Sequence, residues 1–181
     1  RVGVYHWLID WQHPEFPVDR LHPQREDAGF RKQAAGRDVK KYAEYLHNQV
    51  HELLTRFGKI DILWFDFSYP GEDGKGRDDW QSEALVRKVR ELQPDVILND
   101  RLDLPGSADV TTPEQYVPID GLKDANGNPV VWEGCQTFSG SWGYHREEAS
   151  WKSVPMLIRM LVDHVSKGGN LLLNVGPTGR G

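Results

Sequence analysis

The sequence predicts an α/β chain built on a parallel sheet, and three observations carry that expectation. Residues 60 to 65, IDILWF, are apolar but for one aspartate, which suits a strand covered on both faces better than the alternation of a half-exposed one. Strand-like and helical stretches alternate along the chain, as right-handed β-α-β crossovers require. Polar and charged residues stand where the strand-like runs end, which is where parallel sheets gather their chemistry.

Taken in order, VGVYHWL, residues 2 to 8, is a short apolar and aromatic run with strand character. A loop rich in Pro, His and charge follows, from Ile9 to about Gly36. Asp38 then caps a helix in which Val39, Tyr42, Leu46, Val50, Leu53, Leu54 and Phe57 recur at steps of three and four until Gly58 ends it. After the strand at 60 to 65, a second helix spans about 79 to 93 and stops at Pro94. VILND, 96 to 100, is the next strand; ADVTTPEQY, 108 to 116, and VVWEG, 130 to 134, are weaker candidates. Ser153 opens a third helix, with Pro155 in its first turn, that runs through Leu157, Leu161 and Val165 to Gly168. NLLLNVGP is the closing strand. Residues 1 to 181 read as one globular unit.

Composition removes several classes of function. A net charge of -5 gives no electrostatic reason to expect nucleic acid or an anionic membrane as a partner. Cys135 is the sole cysteine, so no internal disulfide forms, and no Cys and His cluster has zinc-finger spacing. No apolar run reaches the roughly 20 residues of a membrane span. The abrupt opening, RVGVYHW, predicts that something upstream is missing. The seven tryptophans suit a protein core and the apolar faces of sugars alike.

The strand ends carry the chemistry. The strand at 60 to 65 ends in Asp66, the next in Asn99, Asp100 and Arg101, and the segments after it in Glu114, Glu133 and Asn174. A single such carboxylate can be structural, capping a helix or pairing with an arginine. Several converging on one face, with Trp64 and Trp132 each close before a carboxylate, are what a glycosidase needs. One carboxylate attacks the anomeric carbon, another protonates the leaving oxygen, and aromatic walls exclude water.

LWFDFSYPGEDGKG, LNDR, TPEQY, WEGCQTFSGSWGY and SKGGNLLLNVGPTGRG, in that order, resemble the retaining α-L-fucosidases of glycoside hydrolase family twenty-nine. GVYHW is similar to the strand from which that family presents a sugar-contacting Tyr. The resemblance implies part of a (β/α)8-like parallel barrel, with five or six strands present, no cofactor and no metal, acting on fucosylated glycans or fucosides. It makes Asp66 the nucleophile, and Tyr5, Trp64 and Arg101 sugar contacts. Glu114 falls on one branch's acid/base, although Gln115 is inserted before Tyr116, and Glu133 is the rival, with orientation of Arg101 or of sugar hydroxyls as its other role. Trp142 lines the fucose pocket or packs in a core. The family's N-terminal half, which supplies a His pair and another His to the pocket, is absent. His6 replaces the more usual Tyr or Ser, and either compensates in part or is a satisfied strand-end residue.

A barrel wall encoded only in part leaves the strands at 2 to 8 and 170 to 175 with unpaired edges, and the helices beside them with exposed apolar faces. The sequence therefore predicts a homo-oligomer, or a chain complemented by a missing N-terminal half. In the oligomer, His13 or His22 of a neighbouring chain would enter the pocket.

Overall fold

The computed structural model describes residues 1–181, which partition into two units, Arg1–Asp109 and Val110–Gly181. The first contains β1 (Gly3–Trp7), α1 (Ala28–Ala34), α2 (Val39–Arg56), β2 (Ile62–Asp66), α3 (Arg77–Trp80), α4 (Ser82–Leu92) and β3 (Ile97–Leu98). Its three strands form one parallel sheet in the order β1-β2-β3. The Asp38 carboxylate accepts the Lys40 N–H to start α2, and Gly58 follows it with φ 77°. Tyr42, Leu46, Val50 and Leu54 of α2 pack with Leu85 and Val89 of α4 against Leu63, Phe65 and Leu98 of the sheet. Fully burying side chains of this kind is worth about 1.5–3 kcal/mol each.

Three details depart from the sequence reading. The loop from Ile9 to Gly36 contains α1, whose start is capped by Asp27 accepting the Phe30 N–H. The second helix breaks at Gln81, a left-handed residue at φ 50°, into α3 and α4. β3 stops after two residues because the Asn99 side chain takes over the ladder, accepting the Phe65 N–H and donating to the Phe65 carbonyl, both at 2.8 Å. On its other side, the Asp109 carboxylate accepts the Leu98 N–H at 2.8 Å and is held in turn by Arg90 at 2.5 Å.

The second unit contains β4 (Glu133–Thr137), α5 (Val154–Ser166) and β5 (Asn170–Asn174), with β4 and β5 parallel and in register from Glu133 opposite Asn170 to Thr137 opposite Asn174. The candidate strand at 108 to 116 makes only isolated bridges, Thr111 to Trp132 and Glu114 to Cys135. The Cys135 N–H donates to the Pro113 carbonyl at 2.8 Å and the Gln115 N–H to the Cys135 carbonyl at 3.0 Å, but Pro113 has no N–H to give, so the pairing is interrupted there. The strand expected at 130 to 134 begins later, which puts Glu133 at its first residue and not, as predicted, at its carboxyl end. Ser153 caps α5 as the sequence implies. One line of that helix, with Leu157 and Met160 half-buried and His164 buried, turns inward. Val154, Met156, Ile158, Leu161, Val162 and Val165 are exposed. The five strands lie in sheets of three and two, fewer than the eight of a closed barrel.

Candidate active site

Side chains alternate across a sheet, so the pairing of Tyr5 with Trp64 and of Trp7 with Asp66 puts these four on the face opposite the helices. Asp66, the last residue of β2, is gripped at both oxygens. The Tyr5 hydroxyl donates to Oδ2 at 2.6 Å, while the Phe67 N–H at 2.8 Å and Arg101 Nη1 at 3.4 Å reach Oδ1. Phe67 reaches its position with φ 84°, a conformation that costs a residue with a side chain about 1–3 kcal/mol. The Arg101 guanidinium also lies 5.0 Å from the centre of the Trp64 ring, on which Tyr5 stacks at 5.7 Å and 21°. With three donors and an aromatic wall beside it, the carboxylate remains 21% exposed.

The loop after β2 is fastened from the loop after β1. Arg20 donates to the carbonyls of Tyr69, Pro70 and Glu72, and Asp19 pairs with Lys75 at 3.0 Å with both side chains buried. The Tyr69 hydroxyl donates to the same Asp19 carboxylate at 2.6 Å; burial and that charge push the phenol pKa up. The sequence reading passed over this brace, because Asp19 and Lys75 are far apart in the chain and neither stands at a strand end. The charged turn in SYPGEDGKG was its one visible sign.

His6 does not join the cluster. It pairs with Phe65 on the helix side of the sheet, its ring 5.9 Å from that of Phe65, and burial lowers its pKa. Its Nδ1 is buried without a hydrogen-bond partner, so the ring is not a satisfied strand-end histidine either. His13 and His22 are also engaged within their own unit. His13 packs on Tyr45 at 4.3 Å, and His22, 1% exposed, stacks on Phe30 and accepts the Gln24 N–H at Nδ1. His13 remains partly exposed, whereas His22 is buried within its own unit.

In the second unit, Gly134 lies under His164 of α5, so closely that a Cβ there would meet Nε2 at 2.1 Å. Alternation then places Glu133 and Cys135, together with Glu114 opposite Cys135, on the face away from α5. Glu114 stands two residues further along the strand direction than Glu133, or about 6–7 Å. Burial raises the Glu133 pKa. Trp142 is 41% exposed, outside any core, and its carbonyl accepts from Asn174 Nδ2 at 2.6 Å just beyond the end of β5. Two concavities of about 480 and 490 Å³, one beside Lys40, His47 and Lys88 and the other beside Arg77, Ser82 and Arg87, contain no part of the Asp66 cluster. No group of three or more His, Cys, Asp or Glu is placed to hold a metal ion, and no helix is long and apolar enough to cross a membrane.

Residues 1–181 match the family model described as alpha-L-fucosidase over their whole length. The chain belongs to the α-L-fucosidase family. The plasma α-L-fucosidase of Rattus norvegicus is 31% identical over 183 residues, which are 97% of this chain and 36% of that protein. The solved structure of α-L-fucosidase isoenzyme 1 from Paenibacillus thiaminolyticus superposes with a TM-score of 0.89 at 43% identity, covering 96% of this chain and 42% of that one. The α-L-fucosidase of Vibrio sp. strain EJY3 gives a TM-score of 0.73 at 30% identity, covering 96% and 29%. The chain spans about a third of the length of the curated fucosidases it matches.

Proposed function

We propose that this chain is the nucleophile-bearing part of a retaining α-L-fucosidase that releases α-linked L-fucose from fucosylated glycans or fucosides by double displacement. The observation that carries the reading is Asp66 at the end of β2, with Tyr5, Phe67 and Arg101 donating to its two oxygens beside the Trp64 wall. Asp66 attacks the anomeric carbon; Tyr5, Trp64 and Arg101 bind the sugar; Trp142 contributes from the loop that follows β4. Water then hydrolyses the fucosyl-enzyme with the second carboxylate as base. Glu114 is assigned as acid/base because it stands nearer the carboxyl end of its sheet than Glu133, where parallel sheets place their chemistry. One observation favours Glu133 instead: burial raises its pKa, as a general acid requires.

The chain is one portion of a (β/α)8-like barrel, which needs no cofactor. Further copies of the chain, or the remainder of a longer polypeptide, complete it. The parallel order β1-β2-β3 and the TM-score of 0.89 support that architecture.

The test is turnover of a chromogenic aryl α-L-fucoside. Asp66→Gly should abolish it, and azide should restore part of the rate with a β-fucosyl azide as product. Full activity in that variant sinks the assignment, and L-fucose binding without turnover by the unaltered chain marks an inactive fucose-binding remnant. Loss of activity confined to substrates with poor leaving groups then identifies the acid, in Glu114→Ala or in Glu133→Ala.

A further inference from the structure

We propose that Ser68 is a positioning residue that holds Arg101 over Trp64 and beside Asp66, an inference that rests on the reading of Asp66 and Arg101 given above. Arg101 lies in a turn beyond the two-residue strand β3, so no sheet ladder fixes its backbone. Its guanidinium is nonetheless placed 5.0 Å from the Trp64 ring centre and 3.4 Å from Asp66 Oδ1, with Nε 3.9 Å from Asp100 Oδ1. A long, flexible side chain keeps such a position only if its root is fixed.

The Ser68 hydroxyl supplies that fixation. Oγ donates to the Arg101 carbonyl at 2.6 Å and accepts the Trp80 indole N–H at 3.0 Å. Trp80 is fully buried in the main core, and its own carbonyl is bonded to His47 at 2.9 Å, so the hydroxyl is anchored to a rigid point. The next residue in the turn is tied in the same way, with Ser82 Oγ donating to the Leu102 carbonyl at 2.7 Å. Ser68 stands only two residues after Asp66, across the left-handed Phe67. One hydroxyl therefore joins the segment that carries the nucleophile to the segment that carries its cation. Only a group that donates and accepts together can satisfy both a carbonyl and an indole N–H, and among small side chains Ser and Thr do so strongly.

The readout is the set of Arg101 side-chain proton resonances, which the Trp64 ring shifts upfield while the guanidinium lies over its face. In Ser68→Ala these resonances should move to unstructured positions while the rest of the spectrum is retained. The kcat/KM for an aryl α-L-fucoside should fall by up to about tenfold, the effect of losing one neutral hydrogen bond that holds the Arg101 backbone. Ser68→Thr should restore both. Unchanged Arg101 resonances in Ser68→Ala overturn the proposal. If Ser68→Ala fails to fold, Ser68→Cys, close in volume but a weak donor, takes its place, and upfield Arg101 resonances there overturn it equally. An unaltered chain that shows the Arg101 shift but turns over no fucoside counts against the fucosidase reading and leaves the positioning role standing.

Discussion

At the residue scale, Glu133 makes the clearest link between placement and pH. Burial raises its pKa above the ordinary 4.5, so the folded chain holds the proton more tightly than the unfolded chain does. The stability this contributes is complete below the unfolded pKa and is lost as pH rises through the folded value. Glu133→Gln should therefore match the parent in urea unfolding at about pH 4 and be the more stable of the two at about pH 7. Equal stability at both would show that water reaches the carboxylate. The same residue marks a limit of the sequence. Asp66 was legible because a long apolar run fixes where its strand ends, whereas VVWEG allows a strand to end or begin at Glu133, and the two choices place its carboxylate at opposite ends of the sheet. His6 was illegible for a related reason. Of Tyr5 and His6, adjacent in one strand, one must face the helices, and only the register with β2 settles which.

At the scale of elements, α2 and α5 could be read because caps and periodicity agree, with Asp38 and Ser153 in front and Gly58 and Gly168 behind. α1 could not, since AGFRKQA is short and lacks a recurring apolar face. The 108 to 116 segment shows strand composition interrupted by one proline. The loop after β2 depends on the Asp19 and Lys75 pair. Removing one partner of a buried pair leaves the other charge uncompensated, at a cost of about 3–5 kcal/mol. Asp19→Ala should lose stability on that scale in chemical denaturation, because Lys75 and the Tyr69 hydroxyl both lose their acceptor. A loss below about 1 kcal/mol would place the pair in the weak class of solvated surface bridges.

For the whole molecule, the decisive feature is the apolar side of α5, where six aliphatic or thioether side chains from Val154 to Val165 are 49% to 68% exposed. A helix apolar on nearly every side belongs in an interior. β1 and β5, each paired with one strand only, add edges that can template further pairing. The chain on its own should therefore associate, and light scattering after size exclusion should report species well above 20.7 kDa. Introducing charge with Ile158→Lys and Val165→Glu should shift the population toward the monomer. A well-behaved, active species at the monomer mass would overturn the expectation.

The three donors on Asp66, at 2.6, 2.8 and 3.4 Å, would bear on both halves of the proposed double displacement. A carboxylate so held is a less eager attacker, since each donor withdraws electron density that the new C–O bond would use. In the second half the same carboxylate must depart, and each donor then stabilises the charge that returns to it. If Asp66 is the nucleophile, as proposed, Tyr5, Phe67 and Arg101 would slow entry into the covalent intermediate and hasten exit from it. On that proposed mechanism, their combined grip would set how long the Asp66 ester lasts in each cycle.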